Sequence, residues 1–234
     1  MAVDAVSCEF RPGTLTAIVG PNGAGKTTYF NLISGQLPAS SGQVLLFGED
    51  ITRMGAASRT KRGIGRAFQL TNLFPRLSVL ENVRLAVQAR ANAGKSLFAT
   101  WSSHVELIRH AEQYLERVTL TSKRDATAAS LSHGDQRKLE VAILLALEPE
   151  VFMFDEPTAG MSVDEVPVIL DLISHIKAQG DKTVLLVEHK MDVVRSLADR
   201  IVVLHQGQLV AEGAPAEVIA MPIVQEAYLG VARA

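Results

Sequence analysis

The sequence predicts an α/β fold: a mostly parallel sheet with helices on both faces and a block of helices inserted into it. Three observations carry that reading. Short apolar, β-branched runs of strand length (Leu15–Val19, Val151–Phe154 and Thr183–Val187) alternate with segments of helical period. Gly20-Pro21-Asn22-Gly23-Ala24-Gly25-Lys26-Thr27 joins the first of these runs to a helix. Two carboxylates, Asp155 and Glu156, directly follow the second.

Taken in order, Val3–Phe10 reads as a short strand closed by Arg11-Pro12-Gly13. Leu15–Val19 is a buried strand. Thr28–Ser34 is a helix, with Tyr29, Leu32 and Ile33 at helical spacing and Gly35 as its stop. Gln43–Phe47 is a strand left at Gly48. The basic run Arg53, Arg59, Lys61, Arg62 and Arg66 then reads as a solvated face, and Gly65–Gln69 as a strand ending on a polar residue. From Leu70 to about Leu147 the pattern is helical. Ser78-Val79-Leu80-Glu81 is a capping box for a helix to about Arg90. Ser103-His104-Val105-Glu106 opens a second, with Val105, Ile108, Ala111, Leu115 and Val118 on one face. A third follows Leu131-Ser132-His133-Gly134-Asp135, burying Leu139, Ala142, Ile143 and Ala146 and stopping at Pro149. Beyond the 151–154 strand come a helix over Val166–Gln179 ended by Gly180, the Thr183–Val187 strand, a hairpin of Ile201–Leu204 with Gln208–Glu212, and two short helices.

The 234 residues suffice for one large domain. A net charge of −2 argues against a general nucleic-acid binder. Apolar runs such as Val141–Leu147 are too short to span a bilayer, and the N-terminus shows no charged-then-apolar leader. A single cysteine, Cys8, excludes an internal disulfide and suits a reducing cytoplasm.

The chemistry begins at Gly20–Thr27, which fits G-x-x-x-x-G-K-[ST] at every constrained position, between a strand and a helix. Glycines let the backbone curl so that N–H groups face a phosphate, and the helix N-terminus adds partial positive charge. Lys26 is expected to reach the β- and γ-phosphates, and the Thr27 hydroxyl to bind Mg²⁺. Asp155 and Glu156 emerge where open α/β sheets bind ligands, so Asp155 can serve the metal shell and Glu156 can polarise an attacking water.

With these two motifs in place, the chain from about Val3 to Gly230 resembles the nucleotide-binding subunit of an ATP-binding cassette (ABC) transporter. The resemblance implies a phosphate-loop core with an antiparallel β-subdomain and an inserted helical subdomain at about 70–147, within one domain over 1–234. It implies ATP and Mg²⁺ as cofactors and ATP hydrolysis as the activity. Gln69 matches the glutamine that senses Mg²⁺ and the membrane subunit, and His189 the histidine that contacts the γ-phosphate. Gly20, Pro21, Asn22, Gly23, Ala24, Gly25, Lys26, Thr27 and Thr28 would line the phosphates, with Thr27, Gln69 and Asp155 around the metal. Leu131–Asp135 matches the family signature, so Ser132, His133 and Gly134 of a second copy would close the site in trans. Ala159-Gly160-Met161-Ser162 occupies the D-loop.

The loop supplies positive charge from one side only, and no arginine finger is evident, so ATP would glue a head-to-tail dimer that hydrolysis opens. The implied partners are a second ATP-binding subunit, identical or not, membrane permease subunits and, indirectly, a periplasmic binding protein. The implied location is the cytoplasmic face of the inner membrane. Thr60–Gln69, Leu73-Phe74-Pro75, Leu77–Val83 and Ala227–Gly230 look most like importers of branched-chain and other hydrophobic amino acids, with importers of urea or short amides similar. Leu70, Leu73 and Phe74 would grip the permease.

The chain departs from the family at His133 and Asp135, where Gly and Gln are more usual, and at Ser162, where Asp is usual. Ser162-Val163-Asp164-Glu165 has a capping pattern for the next helix, whereas Pro167 favours a start at Asp164. No aromatic precedes Phe10 to stack on adenine. Such a stack is worth about 1–3 kcal/mol, so ATP is expected to be held mainly by its phosphates. A GTPase would need N-K-x-D after a strand, whereas Ser122-Lys123-Arg124-Asp125 lacks the Asn and follows a helix. ABC ATPases that act on DNA or ribosomes carry paired cassettes or a long coiled coil, and neither pattern is present.

Overall fold

The computed structural model describes residues 2–67, 73–91 and 105–229, with side chains as far as 226. The chain divides into two compact units: Met1–Arg66 with Glu150–Glu156 and Ile176–Ala234, and Ala67–Pro149 with Pro157–His175.

The first unit is built on a six-stranded sheet. Its strands are β1 (Leu15–Val19), β4 (Ile64–Ala67), β5 (Val151–Asp155), β6 (Thr183–Val187), β7 (Arg200–His205) and β8 (Gln208–Gly213), in the spatial order β4-β5-β6-β1-β7-β8. β5, β6, β1 and β7 run parallel, and β8 returns antiparallel to β7. Every residue of β1, β5 and β6 is buried, as expected of apolar strands covered on both faces. The register sets Ile18 and Asp155 both opposite Val187, so three strands end at one level. Whatever follows their C-termini converges there.

Helix α1 (Lys26–Ser34) leaves the first loop and stops at Gly35 (φ 78°). A small hairpin of β2 (Leu45–Leu46) and β3 (Glu49–Asp50) turns over Phe47 and Gly48, both at positive φ. α2 (Ala56–Lys61) follows it. In the β7–β8 hairpin, Gln206 (φ 50°) and Gly207 (φ 81°) form a tight two-residue turn.

The expected strand over Val3–Phe10 does not form. Val6, Cys8 and Phe10 do face the core with exposed residues between them, but Ala5 sits at φ 50° and breaks the extended run. The alternation reported which side is buried rather than a ladder. The 43–47 strand shrinks to two residues, and β4 starts at Ile64, so the residues expected to end that strand, Phe68 and Gln69, lie outside the described residues.

In the second unit, α3 (Val79–Arg90) packs on both α4 (Val105–Arg117) and α5 (His133–Leu147). Ser78 caps α3 by accepting from the Glu81 N–H at 3.1 Å, as its pattern requires. Ser103 lies outside the described residues. Val105 is exposed, and the apolar face of α4 begins only with the half-buried Ile108 before Ala111, Leu115 and Val118. α5 is buried on most sides: Val141, Leu144 and Leu145 join Leu139, Ala142 and Ala146, while Ile143 is half-buried. The helix ends at Glu148 (φ 42°), one residue before Pro149. α6 (Val166–Ala178) buries Ile169, Ile173 and Ile176 on one stripe. Its start at Val166 leaves Pro167 in the first turn, where a missing N–H costs nothing. The short helices α7 (Met191–Leu197), α8 (Pro215–Ala220) and α9 (Pro222–Leu229) belong to the first unit and complete the described chain.

Candidate active site

The loop after β1 is shaped by two glycines with no room for a side chain. A Cβ on Gly20 (φ 153°) would fall 2.1 Å from the Leu204 carbonyl, and one on Gly25 (φ 99°) 2.4 Å from that of Ala2. Gly25 is the N-cap of α1, so the free N–H groups of the helix start at Lys26 and Thr27. Lys26 is buried and donates to the carbonyls of Gly20 at 2.7 Å and Pro21 at 2.9 Å. Burial lowers its pKa from the ordinary lysine value, and the carboxylates of Glu156 and Asp155 partly offset this. Asn22, Gly23 and the Thr27 side chain are exposed, and Thr28 is half-buried.

At the end of β5 the two adjacent acids point to different partners. Asp155 is buried and pairs with the Arg66 guanidinium at 2.7 Å. Glu156 leaves the strand at φ 51°, a left-handed conformation that costs a β-carbon-bearing residue about 1–2 kcal/mol. Its N–H still donates to the Val187 carbonyl at 2.9 Å. The reversal carries its side chain to His189, whose Nε2 lies 2.7 Å from Glu156 Oε1. Both side chains are about two-fifths solvent-exposed, at 43% and 38%, so water reaches the pair. The oxygens here suit magnesium, which takes one or two carboxylates and completes its octahedron with water and phosphate. The Thr27 hydroxyl and Asp155 are such donors, and no cluster of three or more His, Cys, Asp or Glu occurs among the described residues. Gln69 lies outside the described residues; of the expected set, the 20–28 loop, Asp155, Glu156 and His189 are described in the first unit, and Ser132, His133 and Gly134 in the second.

Two arginines read as part of a solvated basic face are instead drawn inward: Arg59 is buried, and Arg66 is half-buried with its side chain only 7% exposed. Arg59 spends its guanidinium on four carbonyls, Leu32, Ile33, Thr52 and Met54, at 2.6–2.9 Å, and so caps the C-terminus of α1. Arg66 reaches Asn31, Ser34 and Gln36 as well as Asp155. Spacing alone did not separate them from the exposed Lys61 and Arg62. The one available signal was that Arg66 sits inside a strand, among apolar residues.

In the second unit, Ser132 is the N-cap of α5. Its hydroxyl accepts from the Asp135 N–H at 3.2 Å and donates to Asp135 Oδ2 at 3.0 Å. Burial pushes the Asp135 carboxyl up, but hydrogen bonds from Lys123 and Ser132 outweigh it and hold the pKa below the ordinary value. Lys138 lies 3.7 Å from Asp135 and 3.6 Å from Glu165, which in turn accepts from the Ser162 N–H (3.1 Å) and hydroxyl (2.9 Å). A Cβ on Gly134 would fall 2.2 Å from Glu165 Oε2. Ser132, Gly134, Asp135, Ser162 and Glu165 thus form one connected group. This accounts for Ser162: an Asp there would set a second carboxylate against Glu165. Ser162→Asp should lower the melting temperature by a few degrees, a like-charge cost of about 1 kcal/mol, and adding Glu165→Gln should restore it. An unchanged melting temperature in the single variant would refute this account.

The family model described as ABC transporter matches residues 3–159, and the one described as Branched-chain amino acid ATP-binding cassette transporter matches 208–234. The high-affinity branched-chain amino acid transport ATP-binding protein LivG of Escherichia coli K12 is 35% identical, covering 99% of this chain and 93% of LivG. The lipopolysaccharide export system ATP-binding protein LptB of the same organism is 32% identical, covering 97% and 90%. Among solved structures, a nucleotide-free ATP-binding cassette from an ABC transporter aligns with a TM-score of 0.82 at 32% identity, over 97% of this chain and 92% of that one. A dimeric cassette in a post-hydrolysis state with ADP and Pi aligns at 0.79 and 28%, over 92% and 90%. The ABC transporter match over residues 3–159, with relatives and solved cassettes aligned along nearly the whole chain, places the protein in the ABC transporter family as one of its ATP-binding cassettes.

Proposed function

We propose that this cassette hydrolyses ATP to power an importer of branched-chain or other hydrophobic amino acids, with Glu156 as the general base. The observation that supports the chemistry best is the level ending of β1, β5 and β6, which sets the Lys26 loop, Asp155 with Glu156, and His189 at one edge. Lys26 exchanges its two loop carbonyls for β- and γ-phosphate oxygens, a charge-assisted replacement in a half-dry site. Thr27 and Asp155, with Gln69, would hold Mg²⁺, which would neutralise charge on the phosphate oxygens. Glu156 accepts a proton from the attacking water, while His189 aims that carboxylate and contacts the γ-phosphate. Backbone N–H groups along 20–28 cradle the remaining oxygens.

Ser132, His133 and Gly134 of a second copy close the site, so two cassettes assemble head to tail around ATP; a related cassette bound to ADP and Pi is dimeric. The helical segment at about 70–147 acts as the arm that meets the permease. Phe74 is more than half exposed, and buried Asn82 pins its backbone N–H (2.8 Å) and carbonyl (3.1 Å), so the ring is presented on a fixed support. No described helix is long and apolar enough to cross a membrane, which fits a peripheral subunit at the cytoplasmic face. Phe74→Asp should abolish copurification with the permease while leaving the melting temperature unchanged; intact assembly would remove Phe74 from the interface.

The amino-acid assignment rests on the C-terminal family match and the likeness to LivG. Its test is ATP-driven uptake of leucine, isoleucine and valine in proteoliposomes holding this cassette with the permease subunits that copurify with it. Uptake of another solute class in their place would overturn it.

A further inference from the structure

We infer that Arg66 is a positioning residue that holds the metal-binding carboxylate Asp155 and sets how much Mg²⁺ the site requires. This inference rests on the reading of Asp155 and the 20–28 loop as a Mg-ATP site. Arg66 lies on β4, at the edge of the sheet beside β5. Its guanidinium donates to Asp155 Oδ2 at 2.7 Å, to Asn31 Oδ1 at 2.7 Å, to Ser34 Oγ at 3.0 Å and to Gln36 Oε1 at 3.2 Å. It also lies 5.2 Å from the centroid of the Phe30 ring. The side chains of Arg66 and Asp155 are only 7% and 10% exposed.

All the contacts other than Asp155 lie on α1 or just past its end, and α1 is the helix that begins with Lys26 and Thr27. One cation therefore ties the helix that carries the phosphate-binding lysine to the strand that carries the metal-binding acid. Arg suits this place because its planar fork serves several acceptors at once, whereas a lysine ammonium is a single point charge. It has a second consequence. In a site this dry, a cation 2.7 Å from a carboxylate oxygen opposes a second cation at that carboxylate, so metal must share or displace the Arg66 contact. Arg66 then keeps Asp155 aimed while no metal is bound and makes the site reject it until nucleotide phosphates add their charge.

The two possible roles differ in sign. If Arg66 only supports the fold, removing it loosens Asp155 and raises the Mg²⁺ requirement. If it opposes the metal, removing it lowers that requirement. The test titrates Mg²⁺ against binding of a fluorescent ATP analogue to the full chain with Glu156→Gln, so that turnover does not enter. Arg66→Gln should lower the half-saturating Mg²⁺ concentration roughly tenfold, the scale of losing one buried charge contact. Arg66→Lys, which keeps the charge but not the fork, should stay within about twofold of the parent. In a chain that also carries Asp155→Asn, Arg66→Gln should no longer shift the titration. A requirement that is unchanged or raised in Arg66→Gln overturns the inference. Should Arg66→Gln fail to fold, a requirement raised more than about twofold in Arg66→Lys overturns it equally. Failure of the parent to bind the analogue at any Mg²⁺ concentration would instead sink the Mg-ATP reading itself.

Discussion

Glu156→Gln should lower ATP turnover at least about a thousandfold while leaving ATP binding intact, because it removes a general base without changing the size of the side chain. The residue is well placed for that role. Its left-handed backbone turns the carboxylate away from the buried Asp155–Arg66 pair and toward His189, within reach of water. Glutamine keeps the contact with His189 but takes up no proton. ATP bound between two copies is then not consumed, and a dimer should persist that ADP does not support. Size-exclusion chromatography with ATP and with ADP, beside a phosphate-release assay, checks both halves. Unchanged turnover would mean that another group activates the water, and Glu156 would lose its assignment. His189→Ala should reduce turnover less, since it aims the base without being the base.

Arg59→Met should destabilise the protein by about 4 kcal/mol and lower its melting temperature by about 10 °C, since four part-buried carbonyls lose a charged donor together. Methionine has about the right length and no donor, so the loss reads the hydrogen bonds more than a cavity. Arg59 is 1% exposed. It fills space that Gly35 leaves open, for a Cβ on Gly35 would fall 2.8 Å from Arg59 Nε. Chemical denaturation followed by circular dichroism gives the free energy. A change below about 1 kcal/mol, the net worth of a single ordinary hydrogen bond, would mean that water replaces the guanidinium. Lys61→Met, two residues on and exposed, serves as the control with no expected effect.

These two arginines also show where reading the chain as a line fails. Periodicity registers which face of an element is apolar, so β1, β5 and β6 were legible to within a residue, as were the cap at Ser78 and the stops at Gly35 and Gly180. The same logic misplaced Val3–Phe10, because alternation marks a buried side whether or not a neighbouring strand is there to pair with. It also misread the basic run from Arg53 to Arg66. Whether an arginine is solvated depends on how many acceptors converge on it, and the acceptors of Arg59 and Arg66 lie up to 89 residues away along the chain.

The sequence by itself determined the kind of chemistry: a phosphate loop between a strand and a helix, an acid pair at a strand tip, a serine-glycine signature ahead of a third helix and a histidine just past the Thr183–Val187 strand. Each is a local pattern whose residue types are dictated by the ligand, so each is readable without a fold. Only the tertiary structure decided how those residues are held. The register that ends three parallel strands at one level brings Glu156 to His189, and the packing of β4 beside β5 puts Arg66 against Asp155. Ion pairs and hydrogen bonds act over a few ångströms of space regardless of separation along the chain, and this is why the supporting cations were invisible until the sheet was assembled.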